Sequence, residues 1–317
     1  MAGSIAIVLS GGGAKGCFQV GALEELVLNR HVDPQIYCGV STGSIQALGG
    51  AMNDIAGLRD VWLSLRKNSD VYSKRFLGIL GGLFGADSIY NADAIHRKIV
   101  DYADEQKLLA SGKKLILGVV NLQSGEFLEI RENTSRIGDW VYASCAMPFF
   151  FQPMTDSAGG QWVDGGVRNI TPLGAALDLN PNAVIVILAS PTHIVPPPPK
   201  SYGNLLSIAQ RAVGILTNEV FRNDIDQASL INDFLAARKE QAVRLEAAGV
   251  HGAQFQQVMA PIDQVTGQYR FAPVLTIAPA AEVCDTLEFD PATISAGMAA
   301  GRKAVADAWP LIAPLLA

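Results

Sequence analysis

Three short segments carry residue types from which a reactive site could be built. In Gly39-Val40-Ser41-Thr42-Gly43, an apolar run precedes the serine and a small-residue, helix-compatible stretch follows it. A serine at a sharp strand-to-helix turn projects its Oγ from the carboxyl edge of a sheet, and flanking glycines relieve the crowding of that turn. The ordinary alternative for such a pentapeptide is a plain Gly/Ser turn. In Ser10-Gly11-Gly12-Gly13-Ala14-Lys15-Gly16, consecutive glycines let main-chain N–H groups point at a bound group. The start of the following helix adds partial positive charge, so the loop is a site for an anion, either permanent or formed during a reaction. Lys15 strengthens that field if it stays by the loop, and is otherwise a solvated lysine. In Trp162-Val163-Asp164-Gly165-Gly166, a carboxylate follows a short apolar stretch and sits on an open, tight turn. A partly desolvated carboxylate bonded directly to a serine can serve as its base, although Asp-Gly-Gly alone is mostly a turn signal.

The common partner of a nucleophilic serine is a histidine backed by a carboxylate. The chain has four histidines, His31, His96, His193 and His251, and none stands in a turn that marks a catalytic base. Gly11, Gly13 and Gly16 also match a dinucleotide-binding fingerprint. That reading needs an acidic residue at the end of the second strand, where the chain has Gly39-Val40-Ser41 instead. A phosphate-binding loop of the Walker type fails for lack of a Lys-Ser/Thr pair after the glycines.

The elements that must position these segments alternate short apolar runs with longer amphipathic stretches, the pattern of βα units on a mainly parallel sheet. Strands are expected at 4–9, 36–40, 115–120, 126–130, 183–189 and 274–277. Helices are expected at 15–29, 44–52, over a long region 204–248 with a bend or break left open, and at 291–316. The run Pro196–Pro199 is expected to be an extended surface connector, with a ligand for a partner as the alternative.

Composition excludes several classes. Hydrophobic residues make up 49% of the 317 and charged residues 17%, a globular balance rather than a disordered one. No apolar run approaches the ~20 residues that span a bilayer, and the first residues lack the basic and apolar regions of a secretory signal. A net charge of −6 argues against a basic nucleic-acid-binding surface. Cys17, Cys38, Cys145 and Cys284 lie far apart without metal-ligand spacing, so reduced thiols and no metal are expected. The expected location is the cytoplasm, with peripheral membrane contact.

The glycine-rich loop, Gly-x-Ser-x-Gly and Asp-Gly-Gly, in this order, resemble the patatin-like phospholipase family. The resemblance continues in 143–153, Ala-Ser-Cys-Ala-Met-Pro-Phe-Phe-Phe-Gln-Pro, in the hairpin turn 121–126 and in the closing segment 290–305. It implies a single three-layer α/β/α domain over 1–317 with a mainly parallel sheet, and a serine acyl hydrolase without a cofactor. Ser41 would be the nucleophile and Asp164 its base. Gly39 and Gly43 would flank the elbow, Gly165 and Gly166 would form the aspartate turn, and Gly11, Gly12, Gly13 and Lys15 would serve the oxyanion. The implied substrates are fatty-acyl esters of phospholipids or lysophospholipids. Two departures stand out: Ser10 replaces the aspartate of many members, and Lys15 replaces their arginine, keeping the charge but losing the planar fork. The rival readings are an esterase or lipase with His193 or His251 in a triad, and a non-catalytic lipid-binding protein. The apolar stretch 76–84, led by Lys74-Arg75, is expected to be either a membrane-entering flap or a buried connector lining the acyl pocket.

Overall fold

The computed structural model describes residues 4–75, 85–192, 202–203, 205–266 and 272–316. In chain order the elements begin with β1 (Ile5–Leu9), α1 (Gly16–Leu23), β2 (Ile36–Val40), α2 (Thr42–Ala51), α3 (Ile55–Leu63), β3 (Ser73–Lys74) and β4 (Tyr90–Asn91). There follow α4 (Asp93–Tyr102), α5 (Glu105–Ala110), β5 (Lys114–Asn121), β6 (Phe127–Arg131), α6 (Ile137–Cys145), β7 (Met154–Thr155) and β8 (Gln161–Asp164). The last are α7 (Leu173–Leu177), β9 (Ala183–Ile187), α8 (Leu205–Ala247), α9 (Gly252–Thr266), β10 (Val274–Ile277) and α10 (Pro291–Ile312).

The order β10-β9-β1-β2-β5 forms the parallel part of one sheet, and β6, β8 and β7 extend it with antiparallel pairings. Side chains of a strand alternate between faces, so a strand buried on both sides feeds two cores. In β1, Ile5, Ile7 and Leu9 enter one core while Ala6 and Val8 enter the other. In β9, Ile185 and Ile187 part from Val184 and Val186 in the same way. The larger core is covered by α1, α2, α3 and α10, and α7 packs on the opposite face against β1, β2 and β9. The three-layer α/β architecture expected from the sequence is therefore present.

Three differences from the expected elements have local causes. The first helix opens with a 3-10 turn at Gly13–Lys15 and ends in a π-helical turn at Glu24–Asn29, where Arg30 N–H reaches back to Glu25 C=O. The region after 204 is one helix of 43 residues, without a break. Several short helices, α3 to α7 among them, went unread because each offers only two or three turns of periodicity. The stretches 76–84 and 196–199 lie outside the described residues.

The N-terminus of α10 is the one its sequence announces: Asp290 accepts N–H groups from Ala292 and Thr293, and Pro291 takes the first helical position. This helix lies close against α1. A Cβ on Gly301 would sit 2.0 Å from Phe18 O, and one on Gly21 would sit 1.9 Å from Met298 O. In an ordinary helix interior, glycine to alanine stabilises by about 0.5–1 kcal/mol. Here Gly301→Ala is expected to reverse that sign and destabilise by roughly 1–3 kcal/mol through overpacking. The measurement is the urea midpoint, and a midpoint at or above that of the native protein would refute a tight α1–α10 contact.

Candidate active site

The geometry begins at one edge of β5. β2 pairs with it in parallel up to Val40 opposite Gly118. β8 pairs antiparallel from Asn121 back to Asp164 opposite Val119. Because β6 occupies the other edge over Ile116–Val120, β2 and β8 must share the same edge and meet head-on between Gly118 and Val119. The residue after Val40 is Ser41, so the sheet itself brings Ser41 to Asp164.

Ser41 stands between β2 and α2 with φ 57° and ψ −132°, a left-handed conformation unusual for a residue with a side chain. Its backbone is held from several sides. The N–H donates to Ser144 Oγ at 2.9 Å, and that hydroxyl donates to Gly118 O at 2.7 Å. The carbonyl accepts Ser44 N at 2.9 Å, Ser44 Oγ at 2.6 Å and Cys145 Sγ at 3.1 Å. The elbow glycines are required by space. A Cβ on Gly39 would lie 2.1 Å from Gly43 O, and one on Gly43 would lie 2.3 Å from Leu9 O.

Asp164 is buried. Its Oδ1 accepts Gly166 N–H at 2.8 Å, and the Ser41 side chain is close enough to the same carboxylate to favour its charged form. Burial pushes its pKa up to about 6, against the opposing pull of the Ser41 hydroxyl and the Gly166 N–H. Gly165 is needed because a Cβ there would lie 2.5 Å from Gly118 O. Cys145 sits beside the pair, and burial together with the Asp164 charge pushes its thiol up, keeping it a protonated donor to Ser41 O.

The glycine loop is more differentiated than its sequence. Gly11 N–H is committed to Ile170 O at 3.1 Å, and Ala14 N–H to Thr286 O at 2.8 Å. Among the described residues no acceptor takes the N–H of Gly12 or Gly13, and both residues line the cavity that contains Ser41 and Asp164. Gly13 has φ +59°, and a Cβ there would lie 2.3 Å from Thr286 O. Gly12 has an extended φ of 163°, so space excludes a side chain there: Ala189 Cβ is 2.5 Å from the position a Cβ would take. Lys15 is not a free cation, since its Nζ contacts Glu282 Oε2 at 2.6 Å and Ser190 Oγ at 3.1 Å. Ser10, where many family members have aspartate, uses its Oγ to accept Ala189 N–H at 3.0 Å.

The cavity encloses about 1000 Å³ and is walled largely by apolar and aromatic side chains, among them Trp62, Leu65, Tyr72, Ile99, Phe150 and Phe289. None of the described histidines lines it. His96 is paired with Asp139 at 2.8 Å and stacked on Tyr142, and His31 and His251 are exposed. His193 lies outside the described residues. No group of three or more metal-ligating side chains is assembled among the described residues, and no helix among them is long and apolar enough to cross a membrane.

The family model for patatin-like phospholipases matches residues 7–177, the span that holds the glycine loop, the elbow and the Asp164 turn. The chain belongs to the patatin-like phospholipase family. That family comprises hydrolases acting on lipids. The uncharacterized protein YjjU of Escherichia coli (strain K12) is 24% identical over 196 residues, 61% of this chain and 54% of that protein. The crystal structure of VipD from Legionella pneumophila aligns with a TM-score of 0.43 at 13% identity, over 97% of this chain and 66% of that one. The chain thus spans about half the length of YjjU and 66% of VipD. Within this patatin-like chain, sequence reasoning missed the bracing by Ser44 and Ser144 and the loop contacts of Ile170, Glu282 and Thr286. All lie far along the chain from what they hold except Ser44, whose signal was its place in the first turn of α2.

The buried carboxyl has a measurable consequence for stability. Well below pH 4, the ordinary aspartate range, Asp164 is neutral in folded and unfolded chains alike. As pH rises, the unfolded chain ionises first, while the folded one holds its proton to about pH 6, so stability is lost across that window and stays lost above it. Asp164→Asn is expected to remove the effect. Its melting temperature should exceed that of the native protein by more at pH 8 than at pH 4, the difference reflecting roughly 2–3 kcal/mol. An offset independent of pH would show that the carboxyl titrates normally.

Proposed function

We propose that this patatin-like chain is a serine acyl hydrolase in which Ser41 and Asp164 act as a dyad on fatty-acyl esters of phospholipids or lysophospholipids. Asp164 takes the Ser41 proton as Oγ attacks the ester carbonyl, and the tetrahedral oxyanion is received by Gly12 and Gly13 N–H. Asp164 then returns the proton to the departing alcohol, leaving an acyl-serine. Water, deprotonated by Asp164, attacks that acyl group, and the fatty acid leaves as Ser41 recovers its proton.

The observation that carries the reading is the sheet register that sets Ser41, the residue after Val40, against Asp164, a buried carboxylate whose pKa is raised to about 6. A carboxylate of ordinary pKa is a poor proton acceptor from a serine; one moved toward neutrality by burial is better matched to the task. The free N–H groups of Gly12 and Gly13 in the same cavity support the oxyanion assignment. In this conformation Gly11 contributes by anchoring the loop to Ile170 rather than by donating into the cavity. Lys15, paired with Glu282, acts on the loop's placement more than as a free charge. The apolar wall accounts for a fatty-acyl substrate. Against a histidine triad stands the absence of His31, His96 and His251 from the cavity.

Fatty-acid release from phospholipid, lysophospholipid and short-chain ester substrates tests the proposal. Ser41→Ala is expected to lower kcat by roughly four to six orders of magnitude. Asp164→Asn should lower it by about 10²–10⁴ or more, with both variants folded. The native kcat/KM should rise tenfold per pH unit on the acid side and level off above about pH 6, the pKa of the base. Near-native turnover in Asp164→Asn together with a dead His193→Ala or His251→Ala variant would replace the dyad with a triad.

A further inference from the structure

Phe149 occupies a place that its side chain makes costly. Met147 C=O accepts Phe150 N–H at 3.1 Å, closing a turn with Pro148 and Phe149 at its two central positions. Phe149 has φ 71°. Proline followed by a left-handed residue is the arrangement of a type II turn, in which glycine or asparagine is the residue free of strain at the second centre. The turn is not free to relax. Phe149 C=O accepts Ile89 N–H at 2.9 Å, and Phe150 C=O accepts Tyr90 N–H at 2.9 Å. The two phenylalanines that follow are buried, with Phe150 stacked on Tyr90 and Phe151 against Tyr72, whereas the Phe149 ring is 70% exposed, more than any other large hydrophobic side chain among the described residues. Folding therefore gains little from this ring and carries its backbone strain.

The ring is also not a random exposed apolar group, because Phe149 lines the cavity that contains Ser41. Val167, half exposed and three residues beyond Asp164, lines it too. Resting on the acyl-hydrolase reading above, we infer that Phe149 is a specificity-determining residue. Its ring forms the outer apolar contact for the acyl chain of the bound ester and is covered only when a chain longer than a few carbons is present. Strain at a residue that contributes nothing to packing is the pattern expected where the side chain serves binding.

The test compares soluble p-nitrophenyl octanoate with p-nitrophenyl acetate for native protein, Phe149→Gly and Phe149→Tyr, with Ser41→Ala as the control for the dyad. Phe149→Gly relieves the left-handed strain, so its melting temperature should equal or exceed the native one. Its ratio of kcat/KM for octanoate over acetate should fall about tenfold, mainly through KM, as expected for losing one apolar contact of this size. Phe149→Tyr keeps an aromatic face and should preserve the ratio. A melting temperature several degrees lower in Phe149→Gly, with both esters affected equally, would make the ring a packing residue and overturn the inference. So would an unchanged ratio on the soluble esters with a loss confined to phospholipid vesicles, which would assign the ring to a lipid surface. Native protein inert toward both esters would overturn the hydrolase reading, and this inference with it. Ester cleavage that survives Ser41→Ala would overturn the dyad alone.

Discussion

The shared edge of β5 is the constraint on which the site depends. One strand carries a parallel neighbour up to Gly118 and an antiparallel neighbour from Val119 onward, so the ends of β2 and β8 abut. Gly118 is where the two neighbours change over, and no side chain fits there. A Cβ would lie 2.4 Å from the Phe127 ring and 2.7 Å from Val40 Cγ2. Its carbonyl accepts the Ser144 hydroxyl that braces Ser41, and it bars a side chain from Gly165. An imidazole is an effective relay where nucleophile and carboxylate sit on separate elements at a distance. Here the sheet delivers the carboxylate directly to Ser41, with no such distance to bridge.

Direct delivery imposes an electrostatic condition. A carboxylate beside a cation or in water would hold its pKa low and remain a weak base. The influences acting on Asp164 are burial, which raises its pKa, and the Ser41 hydroxyl and Gly166 N–H, which oppose it. The nearby cation of the glycine loop, Lys15, is engaged by Glu282, so its charge is largely neutralised locally. The ion pair also ties the loop to the chain before Asp290, the same stretch whose Thr286 carbonyl holds Ala14. Glu282 therefore serves placement and charge balance together.

The parts legible in the sequence were those whose signal is local. β2 begins and ends where its apolar run does, because a strand buried on both faces has no reason to admit polar residues, and the half-buried strand β10 at the end of the order matches its own run even with Thr276 in it. The elbow, the glycine loop and the Asp164 turn could be read because each combines residue types that only a tight backbone demands. Less legible was what depends on contacts across the fold. Gly11 and Gly12 are neighbours of identical type, yet one N–H is committed to Ile170 and the other has no acceptor among the described residues, a difference set by a segment some 160 residues away. The reason for glycine at 12 is likewise a long-range contact with Ala189 rather than a positive φ. Phe149 shows the opposite case. The stretch 143–153 is read only for its resemblance; Pro148 suits the first centre of a turn, but phenylalanine at the next position argues against the left-handed geometry that the turn adopts.

The segment Ser144–Phe151 explains how these features can be coupled. Ser144 holds the Ser41 N–H, and Cys145 holds the Ser41 carbonyl. Ala146 C=O accepts the Asp164 N–H at 3.0 Å, so Asp164 is fastened one residue further on. Met147 to Phe150 then make the turn at the cavity, and Phe150 and Phe151 anchor it in the aromatic core. Ser41, Asp164 and the cavity wall are thus gripped in order by eight consecutive residues. The two left-handed residues of the site that carry side chains, Ser41 and Phe149, are held by hydrogen bonds to their own backbone groups. Such strain persists only where the surroundings over-determine it. A substitution anywhere in the segment that shifts its path would therefore alter the Ser41–Asp164 distance and the cavity mouth together, which is a physical reason for these three fastenings to share one stretch of chain.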